Sequence, residues 1–252
     1  MTDIREKPTI LLIPGAWHLG STFEPVANIL RAQGYQAETV TLPSAGGPST
    51  TTAYDDADHI RKAYLNDLIA QGKEVILVLH SYAGVPGTES VKGLARKDLA
   101  AQGKKGGVVG LIYQAAFLVP AGASVESFLP SGLDPFMTLE DNKMYPKNPR
   151  ESFYNDMDDE TAAKHLAALV HHAPEAMRTP MTYEAYRDVP TSYILCNLDA
   201  SFSLAAQQMV AGIPGEGVVR TYPVDGGHFA MLSQPQAVAE VIQEIAGTVT
   251  YV

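Results

Sequence analysis

Six short runs of apolar, β-favouring residues recur along the chain, and between most of them lie stretches with helical character. Thr9 to Pro14, Ala37 to Leu42, Glu74 to Leu79, Gly107 to Tyr113, Ser192 to Cys196 and Val218 to Tyr222 read as strands. Most are continuous rather than alternating, which is the pattern of parallel strands buried on both faces. Ser21 to Gln33, Tyr54 to Ala70, Ala83 to Ala101, Leu204 to Ala211 and Gln234 to Ala246 read as helices. That alternation predicts βαβ crossovers, and hence an α/β fold with a doubly wound, mostly parallel six-stranded sheet.

A chain of 252 residues with 46 % hydrophobic and 18 % charged residues has enough apolar material for one large core. One connection is too long for a crossover. Leu118 to Pro190 holds many of the aromatic and Met residues and a predicted amphipathic helix over Asp158 to Ala173, ended by Pro174. The expected organisation is therefore a core formed by residues 1–117 and 191–252, with residues 118–190 inserted as a helical cap over one end of the sheet.

Charge and cysteine content narrow the functional classes. Lys+Arg 18 against Asp+Glu 28 gives 18 − 28 = −10, with the basic residues scattered. Nucleic acid is not an expected partner, because binding it needs a concentrated positive face. The single Cys196 rules out internal disulfides and Cys-rich metal frameworks and fits a reducing compartment. No apolar stretch approaches the roughly 18 residues of a membrane span, and M-T-D-I-R-E-K-P is too polar for a signal peptide. A soluble cytoplasmic protein is expected, with no membrane partner and with a homodimer left open.

In open α/β sheets ligands collect at the carboxyl ends of the strands, and three such ends carry reactive groups. The third strand ends in His80-Ser81-Tyr82, the fifth runs into C-N-L-D (Cys196 to Asp199), and the sixth is followed by D-G-G-H (Asp225 to His228). A strained strand-to-helix turn that exposes a nucleophilic serine is usually written G-x-S-x-G. Here Leu79 and Ala83 stand at the two glycine positions, so by this stretch alone Ser81 is either a nucleophile or a serine capping a buried strand. Asp199 is the only carboxylate between Asp188 and Glu216. It reads either as the acid of a triad or as a helix N-cap before S-F-S-L-A-A. His228 sits in a Gly-rich loop, where Gly226 and Gly227 let an imidazole swing over the sheet end; the agreement of three positions in the order Ser, Asp, His gives each its weight.

A tetrahedral oxyanion would need backbone N–H donors. Tyr82, directly after the serine, and Ala16, in P-G-A-W-H after the first strand, are the candidates. Trp17 is open between substrate lining and packing. His165, His171 and His172 lack the spaced carboxylates or cysteines of a metal site and read as a solvated face of the cap helix, so no metal is expected. No phosphate-cradling or zinc-protease motif is present.

P-G-A-W-H, H-S-Y-A-G-V-P-G-T-E, C-N-L-D-A and G-G-H-F-A-M-L-S-Q-P together resemble the α/β-hydrolase superfamily over nearly the whole chain. The nearest group is the small branch of plant methylesterases and hydroxynitrile lyases with its uncharacterised fungal and microbial members. S-Q-P after His228 and F-Y-N-D (Phe153 to Asp156) in the cap are similar to features of those members. The resemblance implies Ser81 as nucleophile, His228 as general base and then acid, and Asp199 as the imidazole's partner, with no cofactor. It further implies hydrolysis of an ester, thioester or lactone of a small, largely apolar molecule, with Trp17, Phe128, Phe153, Tyr154 and Phe229 as candidate substrate contacts. A lyase or C–C-cleaving enzyme on the same triad, or a ligand-binding protein on the same scaffold, are the alternatives. The related hydroxynitrile lyases carry a lysine after the histidine and a threonine in the first loop, where this chain has Phe229 and P-G-A-W.

Overall fold

The apolar runs assemble into one parallel sheet. The computed structural model describes residues 6–129 and 131–249; the N-terminal stretch read above for targeting signals lies, through residue 5, outside them. The strands are β1 (Thr9–Ile13), β2 (Ala37–Thr39), β3 (Glu74–His80), β4 (Gly107–Gln114), β5 (Met137–Glu140), β6 (Lys143–Pro146), β7 (Thr191–Cys196) and β8 (Val219–Val224). Six of them form a sheet in the order β2-β1-β3-β4-β7-β8, every neighbouring pair parallel. β1 and β4 are buried along their whole lengths, as their largely apolar sequences favour, whereas the edge strand β8 is half exposed. The chain leaves β1 for β2 on one side and returns to β3 on the other. The sheet order therefore reverses at β1 and β3, and a crevice opens at their carboxyl ends.

Helices cover both faces, and their interruptions have local causes. The stretch read as one helix from Tyr54 to Ala70 is helical throughout but holds a π turn at Arg61–Leu65 between Ala53–Ile60 and Asn66–Ala70. Thr52 caps its start, accepting the Asp55 amide while Asp55 reaches back to the Thr52 amide. The segment read as helical from Ala83 to Ala101 breaks into Gly84–Ser90 and Arg96–Ala100, with Gly93 at φ 73° between them.

The connection from β4 to β7 differs from the helical cap expected. It contains short helices at Val125–Phe128, Pro149–Phe153, Asp159–Leu166 and Pro174–Arg178, but also an antiparallel hairpin, β5–β6. The helix expected to run to Ala173 stops at Leu166. Beyond it the backbone is taken up by extended pairing: His172 and Met144 exchange N–H···O bonds of 2.9 and 3.0 Å, and the Ala173 amide donates to the Ser44 carbonyl. His172 is thereby carried into the interior with no exposed surface, so it is not part of a solvated face. Among the described residues no helix is long and apolar enough to cross a membrane.

Candidate active site

Three of the six non-glycine residues with positive φ among the described residues, Trp17, Ser81 and Ala115, lie in the loops after β1, β3 and β4. Ser81 follows the buried strand β3 and sits at φ 53°, a left-handed conformation that costs a non-glycine residue about 1–3 kcal/mol and persists only where the surroundings impose it. Here the Phe117 amide donates to the Ser81 carbonyl at 3.0 Å. Gly84, at the start of the helix that follows, lies so close to the Phe117 carbonyl that any Cβ would overlap it. Leu79 occupies the place of the usual first glycine of the motif. Room for it comes from Gly87, whose missing Cβ would stand 2.9 Å from Leu79 Cδ1 and 3.1 Å from Cγ. The turn thus keeps its close packing with the glycines moved onto the helix.

Asp199 and His228, both buried, complete a hydrogen-bonded chain to this serine. His228 Nδ1–H donates to Asp199 Oδ2 at 2.7 Å, which fixes the tautomer and leaves Nε2 to accept from Ser81 Oγ at 3.1 Å. The other Asp199 oxygen accepts the amides of Ser201 and Phe202 at 2.8 and 2.7 Å. Asp199 therefore orders the turn ahead of helix Leu204–Ala211, while that helix takes Ser203 as its N-cap. Asp199 is therefore not the helix N-cap: one of its oxygens orders the preceding turn and the other faces His228. Asp225 is engaged elsewhere, accepting from Asn197 Nδ2 at 2.6 Å.

The loop after β1 presses against the serine. A Cβ on Gly15 would lie 2.7 Å from Ser81 Cβ, so only glycine allows this approach. The amides of Ala16 and Tyr82 find no acceptor among the turn and loop bonds of the described residues. Two histidines that the sequence analysis assigned no role hold the loop in place. His80 Nδ1 accepts the Gly15 amide at 3.2 Å, and its Nε2–H donates to the His228 carbonyl at 3.0 Å. His18 Nδ1–H donates to the Ala16 carbonyl at 2.8 Å, and its Nε2 accepts from the Tyr154 hydroxyl at 2.6 Å. Burial pushes the His18 imidazole down to about 3, and burial together with the neighbouring His228 and His18 holds His80 well below the ordinary range. Both are neutral struts. The only signal in the sequence was their place inside the motifs, next to Ser81 and in P-G-A-W-H.

A model of the alpha/beta hydrolase family matches residues 10–241. The chain belongs to the α/β-hydrolase family. Among its relatives, the alpha/beta hydrolase nvfD of Aspergillus novofumigatus is 31 % identical, over 96 % of this chain and 97 % of that protein. Methylesterase 18 of Arabidopsis thaliana is 26 % identical, over 95 % and 97 %. Among solved structures, a pyrethroid hydrolase from Sphingobium faniae superposes with a TM-score of 0.72 at 23 % identity, covering 96 % of this chain and 98 % of that one.

Aromatic residues of this α/β-hydrolase form one cluster against His228. The Phe153 ring stacks on the His228 imidazole, with centroids 5.7 Å apart and planes at 25°, and Trp17 lies 5.6 Å from Phe153 with its indole N–H on the Met144 carbonyl. Tyr154 and Phe229, expected as substrate contacts, are packing residues instead. Tyr154 is fully enclosed with its hydroxyl on His18, and Phe229 is 1 % exposed, wedged against His18 at 4.0 Å and His80 at 4.7 Å. Phe128 packs on the core in helix Val125–Phe128, and no ring contact joins it to the triad among the described residues. His172 stands edge-on to Tyr82 at 4.7 Å with neither ring nitrogen hydrogen-bonded, and burial pushes it down to about 3. On the elbow's other flank, Tyr82 donates its hydroxyl to the buried Asp56 at 2.7 Å, and Asp56 also accepts the Ser44 amide and hydroxyl. A cavity of about 410 Å³ borders His18, Lys164, His165 and Leu232, but its lining includes no member of the triad.

Proposed function

We propose that this α/β-hydrolase is a serine hydrolase that cleaves an ester, thioester or lactone of a small, largely apolar molecule through an acyl-enzyme. The observation that carries the reading is the chain from Asp199 through His228 to Ser81, with the serine at φ 53° on the turn out of β3. In the first half-reaction Ser81 Oγ attacks the carbonyl carbon and its proton passes to His228 Nε2, while Asp199 stabilises the imidazolium. The oxygen that gains charge is met by the Ala16 and Tyr82 amides, each such donor being worth about 3–4 kcal/mol in comparable sites. The imidazolium then protonates the departing alkoxide or thiolate. Water, deprotonated by the same imidazole, attacks the acyl-enzyme and releases the acid, returning the proton to Ser81.

The apolar rings of Phe153 and Trp17 beside the triad support a substrate with little charge near the scissile bond, and the relative named as a methylesterase supports ester chemistry. The test is reaction with a fluorophosphonate, followed by peptide mapping. Labelling at Ser81, and loss of about a thousandfold or more in ester turnover by Ser81→Ala, is the expected result. Labelling elsewhere, or turnover undiminished in Ser81→Ala, refutes the assignment.

A further inference from the structure

Each of the four side chains of the cap's F-Y-N-D run reaches the triad or its supports. Phe153 stacks on His228, and the Tyr154 hydroxyl meets His18. Asn155 Nδ2 donates to the carbonyl of Leu198, the residue before Asp199, at 2.8 Å. Asp156 Oδ2 accepts two donors, the Gly227 amide at 2.5 Å and the Ser233 hydroxyl at 2.6 Å. The contact leaves no spare room: a Cβ on Gly227 would stand 2.6 Å from Asp156 Oδ1 and 2.8 Å from Asn155 Oδ1.

Gly227 immediately precedes His228, and the His228 carbonyl is held by His80. The backbone on either side of the catalytic imidazole is therefore fixed from opposite directions, by the strand that carries the nucleophile and by the cap. We infer that Asp156 is a positioning residue for His228, and that seating of the cap is what brings the imidazole into register with Ser81; this rests on the triad reading above. A carboxylate suits the task because two donors converge on one oxygen, and bonds to an ionised acceptor are about twice as strong as neutral ones. Without it no hydrogen bond among the described residues ties the backbone of the D-G-G-H loop, two glycines long on its N-terminal side, to the cap.

The test compares Asp156→Ala, Asp156→Asn, Gly227→Ala and the double variant Asp156→Ala/Gly227→Ala, using p-nitrophenyl butyrate turnover and the rate of fluorophosphonate labelling. A displacement of about 1 Å in a catalytic group costs up to about 100-fold, so Asp156→Ala should lose about 10- to 100-fold in kcat and in labelling rate with KM nearly unchanged. Asp156→Asn, which can still turn one oxygen to both donors, should recover most of that loss. Gly227→Ala, which pushes the carboxylate away from the other side, should lose kcat by itself and add little in the Asp156→Ala background. If Asp156→Ala does not fold, the Asn and Gly227→Ala variants carry the comparison: Gly227→Ala at the wild-type kcat overturns the inference. So does a folded Asp156→Ala with unchanged kcat, a loss confined to KM, or fully additive losses in the double variant. Wild-type protein that is not labelled at Ser81 overturns the triad reading and this inference together, whereas normal labelling of wild type and of Asp156→Ala overturns this inference alone.

Discussion

The exchange of glycines between Leu79 and Gly87 makes a prediction in which one substitution changes sign with its background. Gly87 lies inside helix Gly84–Ser90, where replacing glycine by alanine ordinarily stabilises by about 1 kcal/mol. Here the new methyl would meet three atoms of a Leu79 side chain that has no exposed surface and sits between Ile13 of β1 and Tyr113 of β4. Overpacking of a closed site costs about 1–3 kcal/mol, and three simultaneous contacts with a side chain that has nowhere to move put this case at the upper end. Gly87→Ala should therefore destabilise by about 2 kcal/mol net, or about 4–8 °C in Tm for a chain of this size. Leu79→Ala removes the atoms that clash, at its own cost of about 2–5 kcal/mol. In that background Gly87→Ala should stabilise by about 1 kcal/mol, for a coupling of about 3 kcal/mol. Urea unfolding followed by far-ultraviolet circular dichroism, with m unchanged across the four proteins, measures the cycle. The same sign for Gly87→Ala in both backgrounds would refute the idea that this helix glycine makes room for the leucine.

Asp199→Asn should lose activity by orders of magnitude although the side chains match in shape, because an amide can present N–H to Nδ1 and favour the wrong tautomer; Asp225→Asn, bonded to Asn197, should keep activity near wild type, and the reverse outcome in a steady-state assay would reassign the acid. Stability should also respond to acid through named groups. His18 and His172, lowered from 6.5 to about 3, keep their full contribution above the unfolded value and lose it as pH falls, by about 2 kcal/mol each at about pH 5. Asp56, raised by burial from 3.8 to about 6, works the other way: its contribution is lost as pH rises toward 6, so acidification from about pH 7 to about pH 5 returns about 1 kcal/mol. Replacing His172, whose ring nitrogens have no partner, by Phe should flatten the acid limb of the urea midpoint by about 2 kcal/mol, and Asp56→Asn should steepen it by about 1 kcal/mol; slopes identical to wild type would show that these groups are not the source.

Much of the fold could be read from the chain because the strands advertise themselves. A parallel strand buried on both faces has to be apolar along its middle, and β1, β3 and β4 are, with polar residues only at their ends (Thr9, Glu74, His80 and Gln114). The reactive residues at strand ends were legible for the same reason: Ser81, Asp199 and His228 interrupt or follow such runs, and the sheet order brings their ends together. What could not be read depended on partners distant in sequence. The cap helix ends at Leu166 because Met144 and Ser44 claim the backbone beyond it, and nothing in the local periodicity signals that competition. Tyr154 and Phe229 look like pocket aromatics until the fold buries them against His18, His80 and Phe153. The departure from the G-x-S-x-G pattern was visible, but its remedy at Gly87, about one turn into the next helix, was not.

Four imidazoles meet around Ser81, and their surroundings sort them. His80 lies 4.7 Å from His228, His18 is packed against Phe229, and His172 stands against Tyr82. Each buried imidazole that took up a proton would raise the cost of the next, so the proposed mechanism, with its transient imidazolium, gains by keeping the others neutral. Three are kept so by burial without a carboxylate: His18 and His80 end on backbone carbonyls, and His172 has no hydrogen-bond partner. His228 alone of the four has a carboxylate partner, Asp199. The neutral pair still serves, because a neutral imidazole can donate from one nitrogen and accept at the other, which is what spanning from the His228 carbonyl to the Gly15 amide requires. A lysine in place of His80 would bring a second charge to the imidazolium and could not accept the Gly15 amide; a leucine would leave that amide and the His228 carbonyl unpaired. His80 thus ties the loop after β1, Ser81 and the His228 loop into one unit, and under the proposed mechanism leaves a single ring to carry the proton.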